Sequence, residues 1–115
     1  MLVRQIQQLL EARILCGEEL LEEEISSIFA SDMMSDILAC PDEIECMLTG
    51  QVNQQVIRTA DMMDIPIIIF VRDKNPQEDV ITMATQRGMA VLVTPKGMYK
   101  ACGILYSAGF DGGVD

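Results

Sequence analysis

Three unbroken apolar runs mark the second half of the chain: Cys46-Met47-Leu48-Thr49, Ile65 to Val71, and Ala90 to Thr94. Runs of this kind, β-branched and bounded by Gly and Pro, read as strands buried on both faces. Between them the apolar period changes. Val56, Ile57, Ala60 and Met63 recur at helical spacing after Gly50, which permits a tight turn, and Asn53, which can cap the helix. Val80, Ile81 and Ala84 do the same after Asn75-Pro76, a cap followed by a proline at the first helical position, and the pattern stops at Gly88. Thr94-Pro95 repeats that start, and Met98, Ala101, Cys102, Leu105 and Ala108 then form one stripe closed by Gly109.

Strand, helix, strand, helix, strand and helix thus follow one another over residues 44–108. Parallel strands joined by helices need right-handed crossovers and a sheet covered on both faces. The expected fold class is α/β, three-layer α/β/α, around a mostly parallel, mixed sheet.

The first half is shorter in its signals. Leu2, Val3, Ile6, Leu9 and Leu10 predict a short amphipathic helix, and Ala12 to Cys16 a strand ended by Gly17. Residues 18–24 form an acidic connection. Ile25 to Ala30 is ambiguous by periodicity. It is read as a strand because Ser31-Asp32 follows as an N-cap pair for a helix carrying Met34, Ile37 and Leu38, stopped at Pro41-Asp42. Arg58 and Asp61 are spaced for a surface ion pair, Pro66 opens a strand, and residues 111–115 read as a frayed tail.

At 115 residues the chain is expected to be one domain, with its core over residues 25–110. A net charge of −10 argues against nucleic acid, because phosphate neutralisation needs a Lys/Arg surface. Glu18, Glu19, Glu22, Glu23 and Glu24 are the dense charge block, read as a solvated face. No apolar run reaches the ~18 residues of a membrane span, and residues 1–15 lack the features of a signal peptide. The expected setting is the cytoplasm, with no membrane partner. Cys16, Cys40, Cys46 and Cys102 show no C-x-x-C spacing and the chain has no histidine, so reduced thiols are expected rather than a metal or iron–sulfur site.

Particular segments carry a resemblance to a known family. Ser31-Asp32-Met33-Met34-Ser35-Asp36, the run Leu48-Thr49-Gly50-Gln51-Val52-Asn53 through Ala60, Ile69-Phe70-Val71-Arg72, and Ala101-Cys102-Gly103-Ile104-Leu105-Tyr106 are similar to the DRTGG domain. The similarity spans nearly the whole chain. It implies a fold like the N-terminal domain of HPr kinase/phosphorylase, which is distinct from that enzyme's catalytic domain. DRTGG domains also occur in phosphotransacetylases and beside cystathionine-β-synthase-type modules in some pyrophosphatases. Stand-alone members, which this chain most resembles, occur in anaerobic bacteria, often in a hydrogenase context. The sequence departs from the motif of the family's name: Met33 follows Asp32 where the name implies Arg, and Gln51 follows Gly50 where it implies Gly. A phosphate-binding loop of the G-x-x-x-x-G-K-[ST] type is absent.

In an open parallel sheet, ligands bind outside the carboxyl ends of the strands. Ser31, Asp32, Thr49, Gly50, Asn53, Arg72 and Thr94 reach that edge in this reading, a candidate site for a small anionic metabolite or nucleotide. The alternative is that Ser31 or Asp32, Asn53, Asn75 and Thr94 only cap their helices. Nothing in the sequence pairs a nucleophile with a base: Lys74, Lys96 and Lys100 lie near no candidate, and Asp32 with Asp36 is a weak cation pair. A non-catalytic regulatory or sensory domain without cofactor is therefore expected. The competing reading is an interaction module without ligand, associated with an anaerobic redox system. The paired Met33-Met34 and Met62-Met63 cannot both be buried on one helix face, which points to a homodimer or partner surface.

Overall fold

In the computed structural model, which describes residues 1–111, the apolar runs become neighbouring strands of one sheet. Along the chain lie α1 (Val3–Leu10), β1 (Arg13–Cys16), a 3-10 turn (Glu18–Leu20), β2 (Ile28–Ala30), α2 (Met34–Leu38) and β3 (Cys46–Thr49). They are followed by α3 (Gln54–Met62), β4 (Ile67–Phe70), α4 (Glu78–Gln86), β5 (Ala90–Val93) and α5 (Met98–Ser107). The strand order is β1-β5-β4-β3-β2. β2 to β5 run parallel and β1 pairs antiparallel with β5, so the sheet is mixed, as expected. The frayed tail expected at residues 111–115 lies, apart from Asp111, outside the described residues.

Alternation along the strands divides the core in two. Cys46, Leu48, Ile67, Ile69 and Leu92 pack with Val3, Ile6 and Leu10 of α1 and Ala101 and Leu105 of α5. Met47, Ile68, Phe70, Val91 and Val93 face Ile37 of α2, Val56, Ile57 and Ala60 of α3, and Val80 and Ala84 of α4. Every residue of β3, β4 and β5 is buried, which is why these strands read as continuous apolar runs. Each Ile, Leu or Phe so enclosed contributes about 1.5–3 kcal/mol. Among the described residues, no helix is long and apolar enough to cross a membrane.

Several local expectations change where side chains reach beyond their own element. β2 is shorter than Ile25–Ala30, because Ser26 donates its N–H (2.9 Å) and Oγ (2.8 Å) to the Glu45 carboxylate. Asn53 does cap α3, accepting from the Val56 N–H at 3.3 Å. The other expected caps do not form. Met33 is the N-cap of α2, while the Ser31 Oγ accepts from the Met33 N–H at 3.0 Å. α4 begins at Glu78 rather than Pro76, and Asn75 instead accepts from Arg13. α5 begins after Gly97 rather than Pro95. Arg58 donates to Gln54 (2.9 Å) and not to Asp61, which pairs with Arg87 at 3.1 Å. Gly88 and Gly109 close their helices in the left-handed region, as predicted.

Candidate functional site

The turns that leave the carboxyl ends of β3 and β4 meet at Gly50. Its N–H donates to the Asp32 carboxylate at 2.6 Å, and its carbonyl accepts from Lys74 Nζ at 3.0 Å. Asp32 arrives from the loop between β2 and α2, Lys74 from the loop between β4 and α4. The Arg72 guanidinium lies directly over Gly50: a Cβ at position 50 would overlap it, and would stand 2.9 Å from Asp32 Oδ1. A side chain at position 50 would push aside the Arg72 guanidinium and the Asp32 carboxylate, the two flexible groups that approach this glycine most closely. Arg72 and Asp32 form an ion pair at 3.6 Å, beyond hydrogen-bond range, with side chains 44% and 46% exposed. A pair that exposed contributes only about 0–1 kcal/mol. Stability alone does not account for the arrangement.

The backbone beneath Arg72 is strained. Arg72 (φ 62°) and Asp73 (φ 53°) are consecutive non-glycine residues in the left-handed region, a conformation that costs roughly 1–2 kcal/mol per residue. The turn after β5 holds them. Arg72 N–H donates to the Lys96 carbonyl and Asp73 N–H to the Thr94 carbonyl, both at 2.8 Å. Thr94 shapes that turn from a buried position: its Oγ1 donates to the Leu10 carbonyl at 2.7 Å and accepts from the Lys96 N–H at 3.2 Å. Strain of this kind persists where the surrounding structure over-determines it, and it concentrates at functional positions.

Asp32, Gly50 and Arg72, all expected from the sequence, line one open cleft of about 280 Å³ together with Gln51, Val52 and Lys74. That is near the lower end of ligand-pocket sizes, ~300 Å³. The other expected residues surround it. Thr49 Oγ1 accepts from the Gln51 N–H at 3.2 Å, and Asn53 Nδ2 donates to Gln51 Oε1 at 3.2 Å. Thr94 grips the Arg72–Asp73 turn from below and lines no part of the cleft. Ser31 lines a separate groove with Phe29, Asp36 and Cys40.

Two contributors escaped sequence reasoning, Gln51 and Lys74. Gln51 Nε2 donates to the Asp32 carbonyl at 2.8 Å, so the residue standing where the motif implies glycine anchors the acidic loop. Its signal was its place directly after Gly50, and that of Lys74 its place two residues after Arg72.

Chemically, the cleft sets two cations against one carboxylate in a chain of net charge −10. Among the described residues the Arg72 guanidinium donates no hydrogen bond, and its side chain is 44% exposed. Asp32 holds the Gly50 N–H, the position an anionic oxygen would otherwise take. None of the lining residues is a nucleophile of the Ser, Cys or His type. No group of three or more His, Cys, Asp or Glu suited to a metal ion is found among the described residues, and Asp36 turns to Ser31 (3.4 Å) rather than to Asp32. All four cysteines are free thiols. Burial, reinforced by the charge of Glu45, pushes the Cys46 thiol far up, and burial also raises Cys102.

No family model matches the sequence, and no curated protein matches it either. A solved structure does match: the CBS and DRTGG domains of the regulatory region of Clostridium perfringens pyrophosphatase, complexed with its activator, diadenosine tetraphosphate. The TM-score is 0.68 at 15% sequence identity, over 87% of this chain. The chain spans 44% of that structure's length. At such identity the likeness establishes the architecture alone, and that architecture is a DRTGG-like α/β fold.

Proposed function

We propose that this chain is a non-catalytic regulatory domain that binds a small anionic ligand, a nucleotide or phosphorylated metabolite, at the Asp32–Gly50–Arg72–Lys74 cleft. The observation that carries the reading is the Arg72 guanidinium, held over Gly50 by a strained turn and donating no hydrogen bond to the chain. Guanidinium is suited to bidentate recognition of phosphate, and Lys74 adds a point charge beside it. The structurally similar pyrophosphatase region is regulatory and was captured with a dinucleotide polyphosphate, which makes that compound the first probe.

Of the expected residues, Gly50 and Arg72 meet the ligand in this proposal, and Asp32 is the carboxylate that it displaces. Thr49, Asn53 and Thr94 hold their backbones, and Ser31 anchors the acidic loop. An incoming phosphate competes with Asp32 for Gly50 and Arg72. Displacing Asp32 releases the loop that leads into α2, next to Met33, which is 58% exposed. Ligand occupancy would thereby change a surface available to a partner or a second copy. Free thiols fit the reducing setting of a cytoplasmic protein.

The second reading is an interaction or dimerisation module without ligand, serving an anaerobic redox system. The exposed apolar side chains Met62 (68%) and Tyr99 (95%) favour it.

Thermal unfolding separates the two. Diadenosine tetraphosphate, ATP and pyrophosphate are each added at millimolar concentration to the wild type and to Arg72→Ala/Lys74→Ala. A ligand at about 100 times its Kd adds ~2.7 kcal/mol, a shift of several degrees that the double variant loses. A flat panel, or a shift that survives in the double variant, removes the proposed site.

A further inference from the structure

β2 lies at one edge of the sheet, with β3 as its single neighbour. The Ser31 N–H donates to the Leu48 carbonyl, so Phe29 and Ser31 turn their backbone groups toward β3. By alternation the N–H and carbonyl groups of Ile28 and Ala30 point outward, and they have no partner among the described residues. Such a row of unpaired groups is a template for another strand. The opposite edge is blunted: β1 is broken by a bulge between Ile14 and Cys16 and carries the charged Arg13. β2 reads Ile-Phe-Ala, with neither bulge, proline nor charge. At three residues it suits a short extended segment rather than a broad sheet-to-sheet contact.

A groove lies against each face of this edge. On the α5 side, about 230 Å³ is bounded by Ile28, Ala30, Cys102, Leu105 and Phe110. On the α2 side, about 350 Å³ is bounded by Phe29, Ala30, Ala39, Cys40 and Pro41. A strand laid beside β2 would send alternate side chains to these two faces. Backbone pairing combined with pockets for alternate side chains is the geometry of strand addition.

The charges around the edge say what kind of strand. Each groove contains one charged residue, and in both it is a carboxylate: Asp111 on the α5 side, Asp36 on the α2 side. Glu45 stands at the amino end of β2, bonded to Ser26 and Ser27, and Asp42 and Glu43 are exposed just before it. None of these five carboxylates pairs with a Lys or Arg among the described residues. Arg4 is paired with Glu22 and Arg72 with Asp32, while Lys100 lines a different surface of α5. A second copy pairing antiparallel through β2 would set Glu45 of one chain beside Asp36 of the other, in a chain of net charge −10. The edge therefore suits a basic partner and repels its own kind.

We infer that the free edge of β2 takes up a short extended segment of a different protein, apolar along the length of β2 and flanked by Lys or Arg. This does not depend on the anion cleft, and Arg72→Ala leaves it intact.

Amide hydrogen exchange followed by NMR tests it, with the synthetic peptide Lys-Lys-Val-Ile-Val-Lys-Lys as probe and Glu-Glu-Val-Ile-Val-Glu-Glu as its counterpart, both blocked at their ends. With the basic peptide, exchange at Ile28 and Ala30 slows by about tenfold or more; with the acidic one it does not change. Fluorescence anisotropy of the labelled peptides gives the affinities. Ala30→Pro removes one outward donor at a position where an edge strand tolerates proline, and weakens binding by about tenfold, the scale of one backbone hydrogen bond. Asp36→Lys/Asp111→Lys leaves the backbone edge intact and reverses the preference between the peptides. Circular dichroism verifies that both variants fold. Unchanged exchange at Ile28 and Ala30 at about 1 mM peptide, a level that detects even millimolar affinity, overturns the inference. So does equal binding of both peptides, or undiminished binding by a folded Ala30→Pro. Protection of the same amides that grows with protein concentration alone overturns it in favour of a second copy.

Discussion

Replacing Arg72 by glycine should leave the protein more stable than replacing it by alanine, and both replacements should leave it blind to its ligand. Arg72 sits at φ 62°, where a residue with a Cβ costs roughly 1–2 kcal/mol and glycine does not. Against this, glycine adds unfolded-state entropy worth about 0.4–1 kcal/mol. The half-exposed ion pair with Asp32 is lost on any truncation and is worth at most about 1 kcal/mol. Comparison with Arg72→Ala cancels that loss, because both variants lack the guanidinium and only alanine keeps the strain. Arg72→Gly should therefore exceed Arg72→Ala by about 0.5–1 kcal/mol. In a domain of this size that amounts to roughly 2–6 °C in Tm. Urea denaturation with matched m-values gives the difference directly. Neither variant should retain a ligand-induced shift. If Arg72→Ala proves equal or superior in stability, the turn is not strained as described and the main argument for a built site is lost.

Thr94→Val should cost about 1–3 kcal/mol in urea denaturation, since it orphans the buried Leu10 carbonyl and frees the Lys96 N–H; a neutral effect would mean that Thr94 does not hold the turn. Hydrogen bonds from the Ser26 N–H, then from its hydroxyl, hold the Glu45 carboxyl below the usual glutamate range. Its folded pKa is thus depressed, so its contribution is present above the unfolded pKa and disappears as pH falls through the folded one. The stability difference between wild type and Glu45→Gln should accordingly be seen near pH ~7 and vanish near pH ~3; a difference independent of pH would contradict it. Alkylation followed by mass spectrometry should leave Cys46 unmodified until unfolding, because burial suppresses its thiolate. Labelling of native Cys46 as fast as Cys40 would refute this.

The sheet was legible in the sequence because its central strands are buried on both faces. Cys46–Thr49, Ile67–Phe70 and Ala90–Val93 had to be continuous apolar runs, and the helical stripes between them fixed the crossovers. Local capping was less legible. Ser31, Asp32, Asn75 and Thr94 have the chemistry of N-caps, yet each spends it on a neighbouring turn or a distant element. Residue type declares that a polar group needs a partner, and tertiary structure decides which. The cleft followed the same rule. Arg72 stood out as a charge at the end of a strand, but its left-handed backbone depends on the turn after β5, more than twenty residues away in sequence. Lys74 and Gln51 join through contacts with Gly50 and Asp32 that no local pattern encodes. The stripe expected in α5 held only in part: Ala101 and Leu105 are buried, Met98 and Cys102 are half-buried, and Ala108, past the last turn of the helix, is exposed.

Equilibrium titration of diadenosine tetraphosphate into the wild type, Asp32→Asn and Arg72→Ala at low ionic strength bears most directly on the cleft. Asp32 acts there as an internal anion competing for Gly50 and Arg72. Changes of opposite sign are expected: tighter binding in Asp32→Asn and loss of binding in Arg72→Ala. Affinity that both variants leave unchanged would contradict it.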